Sequence, residues 1–236
     1  MSNDKAIRVG IPLYDDCTLM DFAGATQVFS APFGFEVIWL SNKEKIKTSE
    51  NVSVVPNYNF ENHPPIDILF VPGGGPKGVP QTMQDKAYLE FIKKVSETAI
   101  WRGSVCTGAF LLAAAGVLQN CDATTYWSQI PTLGLLAEKM NLKIAPGYPR
   151  YLIDDENKIF TGGGISSSLD LALELVLRIK GLEIAQKTQL FIQYEPKPPI
   201  DSGDPSVAPT AVTHELEVAG AGYTKALTAA VEKLLN

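Results

Sequence analysis

Histidine is nearly missing from this 236-residue chain, with His63 and His214 the only two. That scarcity excludes an ordinary histidine-rich metal site, so no metal is expected. Cysteine is also sparse. Cys17, Cys106 and Cys121 are odd in number and have neither CxxC nor zinc-ligand spacing, which excludes a disulfide framework and fits a reduced, cytoplasmic setting. No apolar run is long enough to span a bilayer, and the opening "MSNDKAIRVG" lacks a secretory hydrophobic region, so no membrane association is expected. Basic runs are missing too. A net charge of −6 argues against nucleic-acid partners and leaves a small molecule as the expected one.

What remains is ample for a core, because 45% of the residues are hydrophobic and only 19% are charged. Strand-like and helix-like segments alternate as far as Tyr194. "IRVGIPLY" (7–14) and "FEVIWLS" (35–41) read as strands, with "NVSVVPN" (51–57) a shorter, outlying one. "DILFVPGGG" (67–75) has the pattern of a central parallel strand entering a loop. "DKAYLEFIKKVSETA" (85–99) places Leu89, Ile92, Lys93 and Val95 at helical spacing. "IWRGSVC" (100–106) is a strand and "TGAFLLAAAG" (107–116) a helix stopped by Gly116. "RYLIDD" and "KIFTGGG" form a hairpin around Asp155, Glu156 and Asn157. Two helices follow, "SSSLDLALELVLRIKG" (166–181), with serines as capping candidates, and "LEIAQKTQLFIQY" (182–194).

Repeated strand–helix units predict an α/β fold, a mostly parallel sheet with helices on both faces. Residues 1–194 are expected to form the domain, and 195–236 a wrapping segment and tail of that same domain. "EPKPPIDSGDPSVAP" (195–209) is too proline-rich for a regular element. "YTKALTAAVEKLLN" (223–236) predicts a terminal helix with Leu227, Val231 and Leu234 on one face.

Chemistry concentrates at "RGSVCTGAFLLAAAG" (102–116). Cys106 falls where a strand must turn sharply into a helix, flanked by Gly103 and Gly108 with Ser104 and Ala109 small, as a nucleophile elbow requires. A thiol over the free N–H groups of a helix start is favoured as the thiolate. Free cysteines also serve as small buried hydrophobes, and from the elbow alone both roles stay open for Cys106. Cys17 and Cys121 lack this context and read as packing residues. Asp15, Asp16 and Asp21 follow the first strand; Asp21 precedes "FAGATQVF", where a helix N-cap is its plain reading. "TGGGISSS" lacks both the GK[ST] of a P-loop and the GxGxxG of a dinucleotide fold, so no cofactor is expected, and Asp170 and Glu174 complement a helix start.

These segments together resemble the DJ-1/PfpI superfamily with its class I glutamine amidotransferase-like relatives, and within it the isonitrile hydratase group. The resemblance runs from Ile7 to about Ala208, through "LMDFAGATQVF", "DILFVPGGG", "VCTGAFLLAAAGVL", "ATTYW", "FTGGGISSSLDLAL" and the proline-rich "QYEPKPPIDSG". It implies a flavodoxin-like sheet, a homodimer, and a cytoplasmic enzyme, a lyase, hydrating isonitriles to N-substituted formamides through a covalent thioimidate on Cys106. It implies Asp21 as the acid, raised by a neighbouring thiolate so that it holds its proton, and Thr107 as a further catalytic residue. Oxyanion donors would be the Thr107 N–H together with Gly74 and its neighbour Gly73. Relatives carrying histidine after the nucleophile or before the tryptophan of "ATTHW" differ here, where Thr107 and Tyr126 stand, so a Cys–His dyad and proteolysis are not expected. His63 and His214 read as solvated. Two further readings use the same cysteine: glyoxalase or deglycase activity on reactive aldehydes, and a non-enzymatic redox-sensing or binding role.

Overall fold

Short apolar runs ending in turns become the strands of one central sheet, as the computed structural model shows for the residues it describes, 5–236. The chain opens with β1 (Ile7–Pro12), α1 (Leu19–Phe29) and β2 (Phe35–Leu40), then two outlying strands, β3 (Ile46–Lys47) and β4 (Ser53–Val54). β5 (Ile68–Val71) leads to α2 (Gly78–Thr82) and α3 (Lys86–Ser96), and β6 (Trp101–Ser104) to α4 (Gly108–Ala114). A parallel pair, β7 (Asp122–Ala123) and β8 (Lys143–Ile144), brackets a 3-10 turn at Trp127–Gln129 and the short helices α5 (Ile130–Gly134) and α6 (Ala137–Met140). The hairpin β9 (Tyr151–Asp154) and β10 (Ile159–Gly162) precedes α7 (Ser167–Lys180), α8 (Leu182–Phe191) and α9 (Thr210–Leu235).

The sheet order is β2–β1–β5–β6–β10–β9, parallel throughout except for the β9–β10 hairpin. Its central strand β5 is wholly buried, as a parallel strand covered on both faces must be. The helices pack in two groups, α1 with α7 and α8, and α4 with α2 and α3, the two layers that right-handed crossovers create. The chain leaves β1 toward β2 on one side and returns to β5 on the other. That reversal opens a crevice beyond the carboxyl ends of β1, β5 and β6, where open α/β sheets place their sites.

Three expectations change. The buried stripe of α3 is Tyr88, Phe91, Ile92 and Val95; Lys93 lies exposed, since its charge stays in water while the aromatics take the inner face. The serines before α7 do not cap it with their side chains. Ser166 Oγ instead accepts from Arg150 Nη1 at 2.9 Å, and Ser168 Oγ donates to Met20 O at 3.0 Å, tying α7 to α1. The terminal helix begins at Thr210 rather than Tyr223, with Ala211, Glu215, Leu216, Glu217 and Ala219 as its helix formers ahead of Gly220 and Gly222, where a Cβ would meet nothing within 4 Å. Its anchoring face is Leu227, Ala230 and Val231. Residues 195–209 are irregular, as their prolines dictate. Among the described residues no helix is long and apolar enough to cross a membrane.

Candidate active site

β6 ends at Ser104, and Val105 still donates its N–H to Val71 O at 3.1 Å. The next residue breaks the strand: Cys106 takes φ +55°, a left-handed conformation that costs a side-chain-bearing residue about 1–2 kcal/mol. The surroundings enforce it. Cys106 N–H is shared between Gly162 O (3.1 Å) and Gly163 O (2.8 Å), and its carbonyl accepts from Thr125 Oγ1 at 2.8 Å. Glycine is required two residues on, because a Cβ on Gly108 would lie 2.4 Å from Val71 O. "VCTG" thus forms the elbow, and "TGGG", read from the sequence only as a helix lead-in, holds the nucleophile's own amide.

Asp21 faces this elbow from α1. The helix starts at Leu19 with Thr18 at its N-cap, so Asp21 is a fully buried first-turn residue and not the N-cap that the sequence suggested. Its Oδ2 accepts the Gly73 N–H at 2.8 Å, while Oδ1 is buried with no hydrogen-bond partner among the described residues. Burial pushes this carboxyl up to about 8, against the lowering effects of the Gly73 amide and the Cys106 side chain. It carries a proton at neutral pH. The other two acids are spent elsewhere. Asp15 binds Lys43 and the Lys47 amide, and Asp16 Oδ2 accepts the N–H groups of Lys77 and Gly78.

The sulfur itself departs from expectation. Cys106 is 5% exposed, and burial, reinforced by the charge of Asp21, pushes its thiol well above the usual cysteine range. The Thr107 amide and hydroxyl oppose that rise but are outweighed. A thiolate ionised at rest was expected from the helix start. The dipole of the short α4 cannot offset the lost hydration, so the resting pair is a thiol beside a carboxylic acid.

The predicted backbone donors are also engaged. Gly73 N–H holds Asp21, and Gly74 N–H donates to Thr107 Oγ1 at 3.1 Å, so neither is a free oxyanion donor; both fix the acid and the threonine in place. A Cβ on Gly73 would sit 2.6 Å from Thr107 N and 2.9 Å from Asp21 Oδ2, which is why this position tolerates no side chain. Thr107 is fully buried within this group.

Two tyrosines join the site, Tyr126 at the position the sequence marked by its missing histidine and Tyr223 without a signal in the sequence. Tyr223 of α9, remote in the chain, donates its hydroxyl to Gly74 O at 2.9 Å. Tyr126, in the place of the family histidine, is half-buried, and its ring lies against Gly164, where a Cβ would be 3.2 Å from Cδ2. A groove of about 1500 Å³ runs from Thr125, Tyr126, Gly163 and Gly164, the nucleophile's neighbours, to the proline-rich segment. His63 is half-buried rather than solvated, edge-on to Phe91 with Nδ1 at 2.8 Å from Pro64 O, whereas His214 is exposed; neither belongs to the site. Cys17 and Cys121 are buried free thiols pushed up to about 12 and about 11 by burial, consistent with packing roles.

Comparison with known proteins agrees with this geometry. The isonitrile hydratase of Pseudomonas putida is 34% identical over 97% of this chain and 96% of its own. The crystal structure of a THiJ/PfpI family protein from Pseudomonas syringae superposes with a TM-score of 0.87 at 27% identity, covering 95% of this chain and 90% of that one. The HTH-type transcriptional regulator GbdR of Pseudomonas aeruginosa is 23% identical over 82% of this chain, which spans about half, 52%, of the regulator. The DJ-1/PfpI family profile matches residues 7–178, and with an elbow cysteine on a mostly parallel sheet the chain belongs to the DJ-1/PfpI family.

Proposed function

We propose that the protein hydrates isonitriles to N-substituted formamides, with Cys106 as nucleophile and Asp21 as acid and base. The observation that carries this reading is a cysteine held at the elbow at φ +55° whose neighbour Thr107 meets the buried Asp21 carboxyl across Gly73, where a Cβ would lie 2.6 Å from Thr107 N and 2.9 Å from Asp21 Oδ2, that carboxyl being pushed up to about 8 by burial. An isonitrile carbon, R–N≡C, bears a lone pair and becomes electrophilic only once protonated. Asp21 delivers its proton to that carbon, the sulfur attacks the resulting nitrilium, and the thiol proton passes to the Asp21 carboxylate. The sum is R–N≡C plus HS–Cys giving R–N=CH–S–Cys. Asp21, reprotonated by that transfer, then gives its proton to the thioimidate nitrogen and takes one from the water that adds to the carbon; the second water proton passes to sulfur as the C–S bond breaks, releasing R–NH–CHO and the thiol. Thr107 donates to the sulfur as it becomes charged. The 34% identity to an isonitrile hydratase supports the substrate class, and the linear isonitrile head is slender enough for a sulfur only 5% exposed. No cofactor enters the scheme. The test is proton NMR of cyclohexyl isonitrile with the purified protein: a formyl resonance must grow at a rate proportional to enzyme. Lactate from methylglyoxal without formamide, or selective peroxide oxidation of Cys106 without turnover of either compound, contradicts the reading.

We also infer a homodimer. Leu190 and Phe191 on α8, Ile200 and Val207 on the irregular segment, and Leu216 and Val218 on α9 are exposed large apolar side chains. Apolar surface of this kind is what a subunit interface covers. Sedimentation equilibrium should return twice the chain mass of 25.6 kDa, and a monomer at micromolar concentration contradicts the inference.

A further inference from the structure

The helix that carries Asp21 begins without a cap of its own. Thr18 stands at the N-cap position of α1 but makes no side-chain hydrogen bond there. The bond comes instead from the turn between β3 and β4, where Glu50 Oε2 accepts the Leu19 N–H at 2.9 Å. Glu50 ends a longer row. Asp16 N–H donates to Lys47 O at 2.7 Å and Ser49 N–H to Cys17 O at 3.0 Å, so residues 47–50 run beside residues 16–19. The same segment also meets the turn after β5: Gly75 N–H donates to Asp16 O at 2.7 Å, and Thr18 N–H to Gly73 O at 2.9 Å. Asp21 emerges from this seam with Oδ2 on the Gly73 amide and Oδ1 unbonded among the described residues.

The charge of Glu50 matters as much as its bond. Asp21 lies in the first turn of an 11-residue helix, whose positive end favours a carboxylate over the acid. An acid that must keep its proton needs that field offset, and a carboxylate already seated on the first amide does so. Burial opposes ionisation of Glu50, but the Leu19 and Glu50 amides and the Ser49 and Thr48 hydroxyls outweigh it and hold its carboxyl below the usual range. The other titratable groups around Asp21 are Cys106 at the elbow, Tyr14 and Cys17 before α1, and Tyr223 of α9. Burial pushes all four upward, so they are uncharged at neutral pH and Glu50 is the one charge in this group.

We propose that Glu50 is a positioning residue for the acid: its carboxylate replaces the missing cap of α1, holds Asp21 on the Gly73 amide, and fills the positive end of the helix that would otherwise draw the Asp21 proton off. The proposal rests on Asp21 being the acid but not on the identity of the substrate.

Two variants separate the bond from the charge. Glu50→Gln keeps an oxygen for the Leu19 amide and loses the charge, whereas Glu50→Ala loses both. In protein made with carboxyl-labelled aspartate, the Asp21 signal is identified by its absence in Asp21→Asn and followed by carbon NMR against pH. Its midpoint should fall by about 0.2–0.7 pH units in Glu50→Gln, the size of one charge at a helix start. Hydrogen exchange of the Gly73 amide should quicken about two- to thirtyfold in Glu50→Ala, as loss of a cap predicts, and return toward the unaltered rate in Glu50→Gln. An Asp21 midpoint unmoved in Glu50→Gln overturns the proposal, as does Gly73 exchange in Glu50→Ala that matches the unaltered protein. If Glu50→Ala fails to fold, the Glu50→Gln titration decides alone. Neither measurement uses an isonitrile, so a missing formamide product counts against the substrate assignment and leaves this test intact.

Discussion

Replacement of Cys106 by alanine should eliminate formamide production, a loss of at least about 10³-fold, because no other group in the crevice can carry the covalent step. Cys17 cannot substitute: it is wholly buried and bridges backbone to Gly74. Folding should survive. Alanine keeps a side chain at φ +55° and therefore keeps the strain, while the hydrogen bonds that enforce the elbow come from the backbone of Gly162 and Gly163 and from Thr125. Circular dichroism and a thermal melt alongside the NMR assay check both halves. A folded Cys106→Ala variant retaining a tenth of the activity would remove the cysteine from the chemistry.

Asp21→Asn should lower turnover by about 10²–10⁴-fold, the range general acid–base groups supply, since an amide can neither protonate the isonitrile carbon nor accept the thiol proton. It should also raise stability at alkaline pH. The native carboxyl titrates near 8 because it is buried, whereas an unfolded aspartate titrates near its ordinary value of 3.8. Between those two values the native state binds more protons than the unfolded one, so stability falls as pH rises through that window. Asparagine keeps an oxygen for the Gly73 amide and has no proton to lose. The Tm difference, variant minus unaltered protein, should therefore grow between pH 5 and 9. Cys106 is present in both proteins, so its own linkage cancels to first order in that difference. A Tm difference independent of pH would show that Asp21 is ionised in the folded protein, and the proposed acid would be lost with it.

The sheet was legible because its strands are short apolar runs punctuated by glycine and proline, and β5 is buried along its whole length just as "DILFVPGGG" predicts. Cys106 was legible for a related reason: small residues on both sides of one cysteine have few uses other than a tight strand–helix turn. The state of the pair was not. Whether a thiol ionises depends on hydration and on neighbours that arrive from α1, β5 and α9, and local sequence carried only the helix start, the weaker of the opposing influences. Asp21 was misplaced for a simpler reason. A helix boundary wrong by three residues turns a buried first-turn carboxyl into an apparent cap. Tyr223 and Thr125 could not be found at all, since each acts through one hydroxyl across a fold that only tertiary structure brings together.

The most direct test is acid-quenched mass spectrometry within the first turnovers on an isonitrile. Addition of sulfur and hydrogen to one carbon incorporates every atom of the substrate, so the Cys106 peptide should gain the full mass of the isonitrile and lose it again as formamide appears. Formamide accumulating while that peptide never changes mass, or with the added mass on another residue, would contradict the covalent account.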